Sequence, residues 1–381
     1  MDFALSEEHR LIQTTVREFA AKEIIPIAAD LDHHPRFPAE LIARAASLGL
    51  LGLTVPEEYG GAGLDGLANV IVQEELARAS AGVQAIVTVQ NSLVCDPILR
   101  FGTPEQRRRY LPRLASGEWL GCYCLTEPEA GSDAMALQTR AEWWDGRWLL
   151  NGRKLFVTNG LEAQLAIVYA RSEPVPGARG ISAFLVEKSF PGISVGRVEQ
   201  KLGIKCSSTV EIVLEDCRVP AENLLGERGE GARVALSTLD GGRIGIAAQA
   251  VGIARACLEE CVAYARTREQ FGQPLKAFQA VQWALADMAT RIDAARLLTY
   301  RAAWLRDRGE RCTAEAAMAK LVASETAMWA AHRGVQLFGG YGYTQDYPVE
   351  RYFRDAKITE IYEGTSEIQR LVISRHVLGR R

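Results

Sequence analysis

Glu363 stands in the stretch Ile361-Tyr362-Glu363-Gly364-Thr365-Ser366-Glu367-Ile368-Gln369, beside a glycine that lets another group approach its backbone closely. A carboxylate in that place has two readings. It is either a buried base or a negative charge favoured by the dipole of a helix that follows it. Ser366 and Gln369 have capping-box spacing, which predicts a helix running through Leu371, Val372 and Ile373 to about Leu378, with Gly379 as its stop. Two further stretches, Tyr123-Cys124-Leu125-Thr126-Glu127-Pro128-Glu129-Ala130-Gly131-Ser132-Asp133 and Phe156-Val157-Thr158-Asn159-Gly160, each put a threonine at a strand end. There a hydroxyl and backbone N–H groups can face a flat polar ligand, although the same residue types also make ordinary turns. In Leu239-Asp240-Gly241-Gly242-Arg243-Ile244-Gly245, a glycine pair interrupts a helical pattern at a cost of about 1 kcal/mol per residue against alanine. That pair marks either a close approach or a kink. Arg266-Thr267-Arg268-Glu269-Gln270-Phe271-Gly272 with Phe278-Gln279, and Gln336-Leu337-Phe338-Gly339-Gly340-Tyr341-Gly342-Tyr343, complete the set, and Gly339-Gly340 also suits a helix stop.

Some chemistries are excluded. No G-x-G-x-x-G follows a strand, no G-x-S-x-G elbow is present, and the glycine-rich loop Pro56–Gly63 lacks the Lys-Ser/Thr of a phosphate loop, so it reads as a connection. None of the eight cysteines forms a C-x-x-C pair and there are only five histidines, which predicts no metal site. Cys257 and Cys261 share a helix face, as packing residues do. Scattered free thiols suit a reducing compartment.

The elements that must position these residues follow from periodicity. Residues 1 to about 118 read as helical: Ser6 caps a helix with the apolar stripe Leu11, Ile12, Val16, Phe19, Ala20; Pro38-Ala39 opens another that reaches Gly49; two more span roughly 66–80 and 83–101; and Thr103-Pro104-Glu105-Gln106 starts a fifth. From about 119 to 227 the texture becomes β. Asp145-Gly146, Asn151-Gly152 and Asn159-Gly160 read as hairpin turns around strands Arg147–Leu150 and Arg153–Thr158, with further strands at Ala166–Ala170, Ile181–Glu187 and Ser208–Leu214. This predicts an antiparallel domain, a small barrel. Alanine-rich segments at about 232–266, 278–308 and 314–337 predict an antiparallel bundle. The expected fold is therefore mainly α with a middle antiparallel β domain: 1–118 helical, 119–227 β, 228–381 helical bundle. A chain of 381 residues is long enough for two or three such units.

Composition is ordinary, 48% hydrophobic and 24% charged, with net charge −3 and pI near 6.1, which predicts neither a nucleic-acid surface nor a polybasic membrane patch. Met1–Glu8 has no basic-then-apolar pattern, so no secretory signal is expected, and no run of about 18 apolar residues predicts membrane insertion. A cytoplasmic location is expected, or the mitochondrial matrix for a processed form.

In register from about Phe3 to His376, the stretches together resemble the acyl-CoA dehydrogenase family. The likeness is nearest to the short-chain (butyryl-CoA) branch, through Asp240-Gly241-Gly242-Arg243-Ile244-Gly245-Ile246-Ala247 and Arg354-Asp355-Ala356-Lys357-Ile358-Thr359-Glu360-Ile361-Tyr362-Glu363-Gly364-Thr365. The resemblance implies an N-terminal helical domain, a middle β domain, a C-terminal four-helix bundle, and FAD between the last two. It further implies that Tyr123, Leu125 and Thr126 line the flavin, that Phe156, Val157 and Thr158 cover its other side, and that Ser132 touches both cofactor and thioester. Asp240, Gly241, Gly242 and Arg243 then contact the CoA part. Arg268, Phe271, Gln279, Gln336, Leu337, Gly339 and Gly340 reach the FAD of a neighbouring subunit, while Thr365 and Glu367 hold FAD at a helix start.

Glu363 matches the family's base, which takes the α-proton of an acyl-CoA while the β-carbon gives hydride to flavin N5. Its own N–H and a ribityl hydroxyl steady the thioester carbonyl, and Gly364 leaves the room this needs. Branches that place the base just before the arginine would use the position of Gly242 here. The implied partners are a short- or medium-chain acyl-CoA, an electron-transfer flavoprotein and three further copies in a homotetramer. Branched-chain, aryl or carrier-linked thioesters, direct use of oxygen, and a non-catalytic DNA or interaction role are the alternatives.

Overall fold

The computed structural model describes residues 4–379. Helices α1 (Glu7–Phe19), α2 (Ile25–His33), α3 (Ala39–Ser47), α4 (Gly66–Ala79), α5 (Ala81–Thr88), α6 (Asp96–Phe101) and α7 (Pro104–Ala115) form the first layer. Ser6 caps α1 by accepting from the His9 N–H. Thr103 and Gln106 make both bonds of a capping box at α7, at 3.2 and 3.0 Å, and the Gln106 amide reaches on to the Glu222 and Leu224 carbonyls. One helix predicted over 83–101 is α5 and α6 joined by the wider-wound turn Val89–Cys95. Within that turn the fully buried Gln90 accepts from Gly121 N–H and donates to the Leu114 and Trp119 carbonyls, which ties the helical layer to the sheet.

The middle region holds β1 (Gly121–Cys124), β2 (Arg140–Trp144), β3 (Arg147–Thr158), β4 (Leu165–Arg171), β5 (Ile181–Glu187), β6 (Ile193–Val198), β7 (Thr209–Pro220) and β8 (Leu224–Leu225), paired in the order β6-β7-β3-β2-β4-β5-β8, with β1 also on β4. Most pairs are antiparallel, but β1 and β4 run parallel, as β2 and β4 do at Arg140 and Arg171. Of the three predicted hairpin turns, only Asp145-Gly146 is one, linking Trp144 to Arg147 with both turn residues at positive φ. Asn151-Gly152 lies inside β3, at a register shift where Gly152 packs against Thr139, so the two predicted strands are one. Asn159-Gly160 ends β3, yet the chain passes to β4, which pairs with β1, β2 and β5 instead of β3. The edge strand β6 escaped the sequence reading because its alternation stops at Arg197-Val198, where the pairing with β7 shifts register.

The third region holds α8 (Gly231–Thr267), the small hairpin β9 (Glu269–Gln270) and β10 (Gln273–Pro274), then α9 (Gln279–Asp307), α10 (Thr313–Phe338), α11 (Val349–Thr359) and α12 (Ser366–Val377). Alanines let these helices approach closely: Ala247, Ala250 and Ala254 of α8 share one core with Ala316, Ala319, Ala323 and Ala327 of α10. Cys257 and Cys261 sit in the same core, Cys257 Sγ donating to the Ala330 carbonyl at 3.2 Å. Helix α8 runs unbroken through Gly241-Gly242, so the pair is not a kink. Arg17, Arg255 and Arg296 converge on the buried Glu74 and Glu75 and bind α1, α8 and α9 to α4. Among the described residues no helix is long and apolar enough to cross a membrane.

The cap of α12 departs from its predicted form. Thr365 is the capping residue, accepting from Ile368 N–H at 3.3 Å, while Ser366 is already helical and buried. Gln369 turns back to the carbonyls of Glu363 and Gly364 instead of to the cap. The capping box at α7 gives a direct check on local energetics: Thr103→Ala lowers stability by about 1 kcal/mol, read as a shifted denaturant midpoint of the same slope.

Candidate active site

After α11 ends at Thr359, the chain makes a tight reversal fastened by Tyr362 N–H to the Ile358 carbonyl at 3.1 Å and Ser366 N–H to the Glu360 carbonyl at 2.9 Å. Within it Glu363 takes φ 55° and Gly364 φ 90°, two successive left-handed residues. Such a conformation suits glycine but costs a glutamate, and it persists only where its surroundings fix it. The fixing groups are polar and buried. Gln369 Nε2 donates to the Glu363 carbonyl at 3.1 Å and to the Gly364 carbonyl at 2.7 Å, and Lys320 Nζ donates to the Gly364 carbonyl at 2.8 Å. The Tyr362 hydroxyl donates to Gln249 Oε1 on α8.

The reversal drives the Glu363 carboxylate onto α8. A Cβ at Gly242 would lie 2.9 Å from Glu363 Cδ and 3.1 Å from Leu93 Cδ2, so α8 admits the carboxylate only because position 242 has no side chain. Glu363 Oε2 is out of solvent and has no hydrogen-bond partner. Burial pushes its pKa up to about 7, against the opposing pull of Arg243 and Lys320. Arg243 is itself buried; its Nη1 donates to Asp240 Oδ1 at 2.8 Å, while Asp240 Oδ2 accepts from Thr313 Oγ1 at 2.8 Å. Gly241, next along, faces the Arg306 guanidinium. Asp240, Gly241, Gly242, Arg243, Glu363 and Gly364 therefore lie together.

On the sheet side, Tyr123 of β1 packs its ring on Tyr169 of β4 at 5.1 Å; burial pushes the pKa of both phenols up, and the nearby Glu363 adds to it. Leu125 is buried, Thr126 half-buried, and the Thr126 carbonyl accepts from Leu155 N–H at 2.9 Å. Below them Lys154 and Glu127 form a buried pair at 2.6 Å, with Lys154 also on the Leu125 carbonyl. The register shift after Lys154 puts Phe156 at φ 56° with 63% of its surface exposed, while Val157 turns into the sheet core and Thr158 is half-buried. Val157 can thus offer only its backbone to a ligand. Ser132 is exposed on the loop after β1, and Glu367 is exposed in the first turn of α12, one helical residue past Ser366 and two beyond the capping Thr365.

The remaining candidates sit elsewhere. A cleft of about 460 Å³ is lined by Arg268, Leu337, Gly339 and Gly340, with the Arg268 guanidinium 5.6 Å from the Tyr341 ring centre. Phe271, at the β9–β10 turn, is 93% exposed, and Gln279 and Gln336 are exposed at helix ends. From Lys320, beside Gly364, to Phe338, beside the cleft, α10 advances 18 residues, which is about 27 Å. One chain therefore separates these residues from the Glu363 group. The sequence reading missed Lys320, Gln369, Gln249 and Tyr169. The available signal was Lys320 itself, the one cation of α10 between Glu315 and Glu325 in an alanine-rich run.

Comparison with known proteins gives the family. Models of the acyl-CoA dehydrogenase N-terminal, middle and C-terminal domains match residues 6–118, 122–217 and 229–378. The short-chain specific acyl-CoA dehydrogenase of Clostridium acetobutylicum is 50% identical over 374 residues, 98% of this chain and 99% of that one. The solved butyryl-CoA dehydrogenase of Megasphaera elsdenii superposes with TM-score 0.98 at 45% identity, covering 99% of this chain and 100% of its own. A chain in the solved structure named for the electron transferring flavoprotein of Acidaminococcus fermentans does so with TM-score 0.98 at 48% identity, again covering 99% and 100%. The chain belongs to the acyl-CoA dehydrogenase family, oxidoreductases that depend on FAD.

Proposed function

We propose that this acyl-CoA dehydrogenase acts on short- or medium-chain acyl-CoA and forms the trans-2-enoyl thioester, with Glu363 as the base. The observation that carries this reading is the half-buried Glu363, whose Oε2 is out of solvent without a partner and whose carboxylate rests on a glycine at the other family position for a base. Desolvation makes such a carboxylate more basic, and an unpartnered oxygen is free to take a proton. The Glu363 N–H is the chain's own donor for charge developing on the thioester carbonyl. Asp240, which accepts from both Arg243 and Thr313, supplies with Arg243 a polar frame for the CoA part.

The residues present suit FAD: half-buried Thr126 and Thr158 and the exposed Phe156 ring stand at strand ends, and Thr365 caps a helix whose start favours phosphate oxygens. FAD, when bound, supplies the acceptor for the hydride. The 27 Å or so between the Glu363 group and the Arg268 cleft supports a second, symmetry-related cofactor contact, and with it a homotetramer. Arg268 there suits a pyrophosphate, which its guanidinium can bond at two oxygens. The Acidaminococcus neighbour supports an electron-transfer flavoprotein as acceptor. Eight free, buried cysteines support a reducing, cytoplasmic location. The three family matches support division at about 118 and 227.

Three outcomes test the reading. Purified with FAD, Glu363→Gln keeps the yellow cofactor but bleaches with butyryl-CoA, without air, about 10² to 10⁴ times more slowly than the parent. Retained bleaching removes Glu363 as the base, and a parent that stays oxidised with every acyl-CoA of four to eight carbons removes the substrate class. Because Glu363 must be ionised to accept a proton, kcat/KM rises with pH through about 7. Gly242→Ala, which forces the carboxylate aside, lowers kcat/KM by about 10²-fold while FAD content is unchanged.

A further inference from the structure

We propose that Lys320 is a positioning residue for the reaction: its ammonium group, bonded to the Gly364 carbonyl, holds the left-handed Glu363-Gly364 turn and with it the base. This rests on the reading of Glu363 given above and adds a residue that no motif marked. Lys320 is fully buried in the middle of α10, among Ala316, Ala317, Ala319 and Ala323. An ammonium group in such surroundings is costly and is usually paired with a carboxylate. Here it is not: among the described residues it makes no ion pair, and its bond is to the carbonyl of Gly364, the residue directly after the base, 2.8 Å away. The Gln369 amide donates to the same carbonyl at 2.7 Å and to that of Glu363 at 3.1 Å. Two buried donors on α10 and α12 thus converge on two consecutive carbonyls of a reversal whose φ angles are 55° and 90°. A left-handed glutamate persists only where its surroundings over-determine it, and these donors are what over-determine it.

The placement also has an electrostatic consequence. The groups facing Glu363 are Arg243 from α8, Lys320 from α10, the phenols of Tyr123 and Tyr169 from the sheet, and Tyr362 from the reversal itself. Only the first two are cations, and both favour the ionised carboxylate. Arg243 is committed to Asp240 at 2.8 Å, whereas Lys320 has no bonded counter-ion. Burial, with a smaller push from Arg243, brings Lys320 down to about 8, while Glu363, Glu360 and Glu367 pull the other way. The cation is therefore in place at neutral pH and is lost as pH rises through about 8. The neutral amine left above that pH still donates to the Gly364 carbonyl, but without the charge that strengthens the bond, so the turn is held less firmly; Glu363 thus sets the acid side of a window and Lys320 its alkaline side.

The test is the pH profile of kcat/KM for the FAD-loaded enzyme, the parent against Lys320→Met and Lys320→Gln, with FAD content and thermal midpoint measured on each. The methionine keeps the stem and loses both bond and charge; the glutamine keeps an amide donor and loses the charge. In both variants the acid limb moves up by about one unit, an approximately tenfold loss of kcat/KM near pH 6, and the alkaline fall disappears while FAD is retained. Lys320→Gln recovers part of the kcat that Lys320→Met loses. If the methionine variant does not accumulate as folded protein, the glutamine variant alone reads the limb shift. Profiles that keep both limbs of the parent and change only in height overturn the proposal, because a lysine that merely packs moves neither limb. Turnover retained by Glu363→Gln overturns the base reading and this proposal with it; an inactive Glu363→Gln beside unshifted lysine variants overturns this proposal alone.

Discussion

The arrangement turns on one carboxylate held where it is least comfortable. Glu363 Oε2 is out of solvent without a hydrogen-bond partner, on a residue whose backbone is left-handed. Both conditions raise the free energy of the ionised folded chain; opening of the turn relieves both, and a proton on the carboxylate relieves the first. A site that needs a strong base at neutral pH has use for that tension. Water or a bonded counter-ion at Oε2 would stabilise the carboxylate and weaken it as a base by the same amount.

Much of the surrounding packing serves to keep that residue from relaxing. Helix α8 gives up side chains at positions 241 and 242 and so accepts the Arg306 guanidinium and the Glu363 carboxylate against its backbone. Helix α10 runs close to α8 on a face of alanines and carries Lys320 to the Gly364 carbonyl. Helix α12 returns Gln369 to the same turn, and α8 adds Gln249 against Tyr362. The buried Glu74-Glu75 cluster and the Gln90 bridge lie farther out. They fix α4 to α8 and the helical layer to the sheet, and so set where Leu93 and Tyr123 stand relative to the base.

The long elements were legible in the sequence because their signals are local. Apolar spacing located α8, α9 and α10 to within a few residues, and the Thr103–Gln106 pair announced its own cap. What failed depended on distant partners. Asn151-Gly152 has hairpin chemistry, but its place inside β3 is set by pairing with Leu214 and by contact with Thr139. Ser366 looked like a cap because its spacing to Gln369 is right; the Glu363 and Gly364 carbonyls claim that amide instead. From spacing alone Glu363 had two readings, and family resemblance favoured the base. The contact between its carboxylate and Gly242, more than a hundred residues earlier, has no trace in either local stretch. Lys320 was illegible for the same reason: its meaning lies in a carbonyl 44 positions away.

The central claim is that Glu363 itself removes the α-proton, and exchange of that proton isolates the step. An acyl-CoA with sulfur in place of the β-carbon has no hydride to give, so in deuterated buffer its α-position reports proton removal alone. The account predicts that the FAD-loaded parent enzyme incorporates deuterium at the α-carbon and that Glu363→Gln, with equal FAD content, does not. Exchange at the parent's rate in that variant would contradict it.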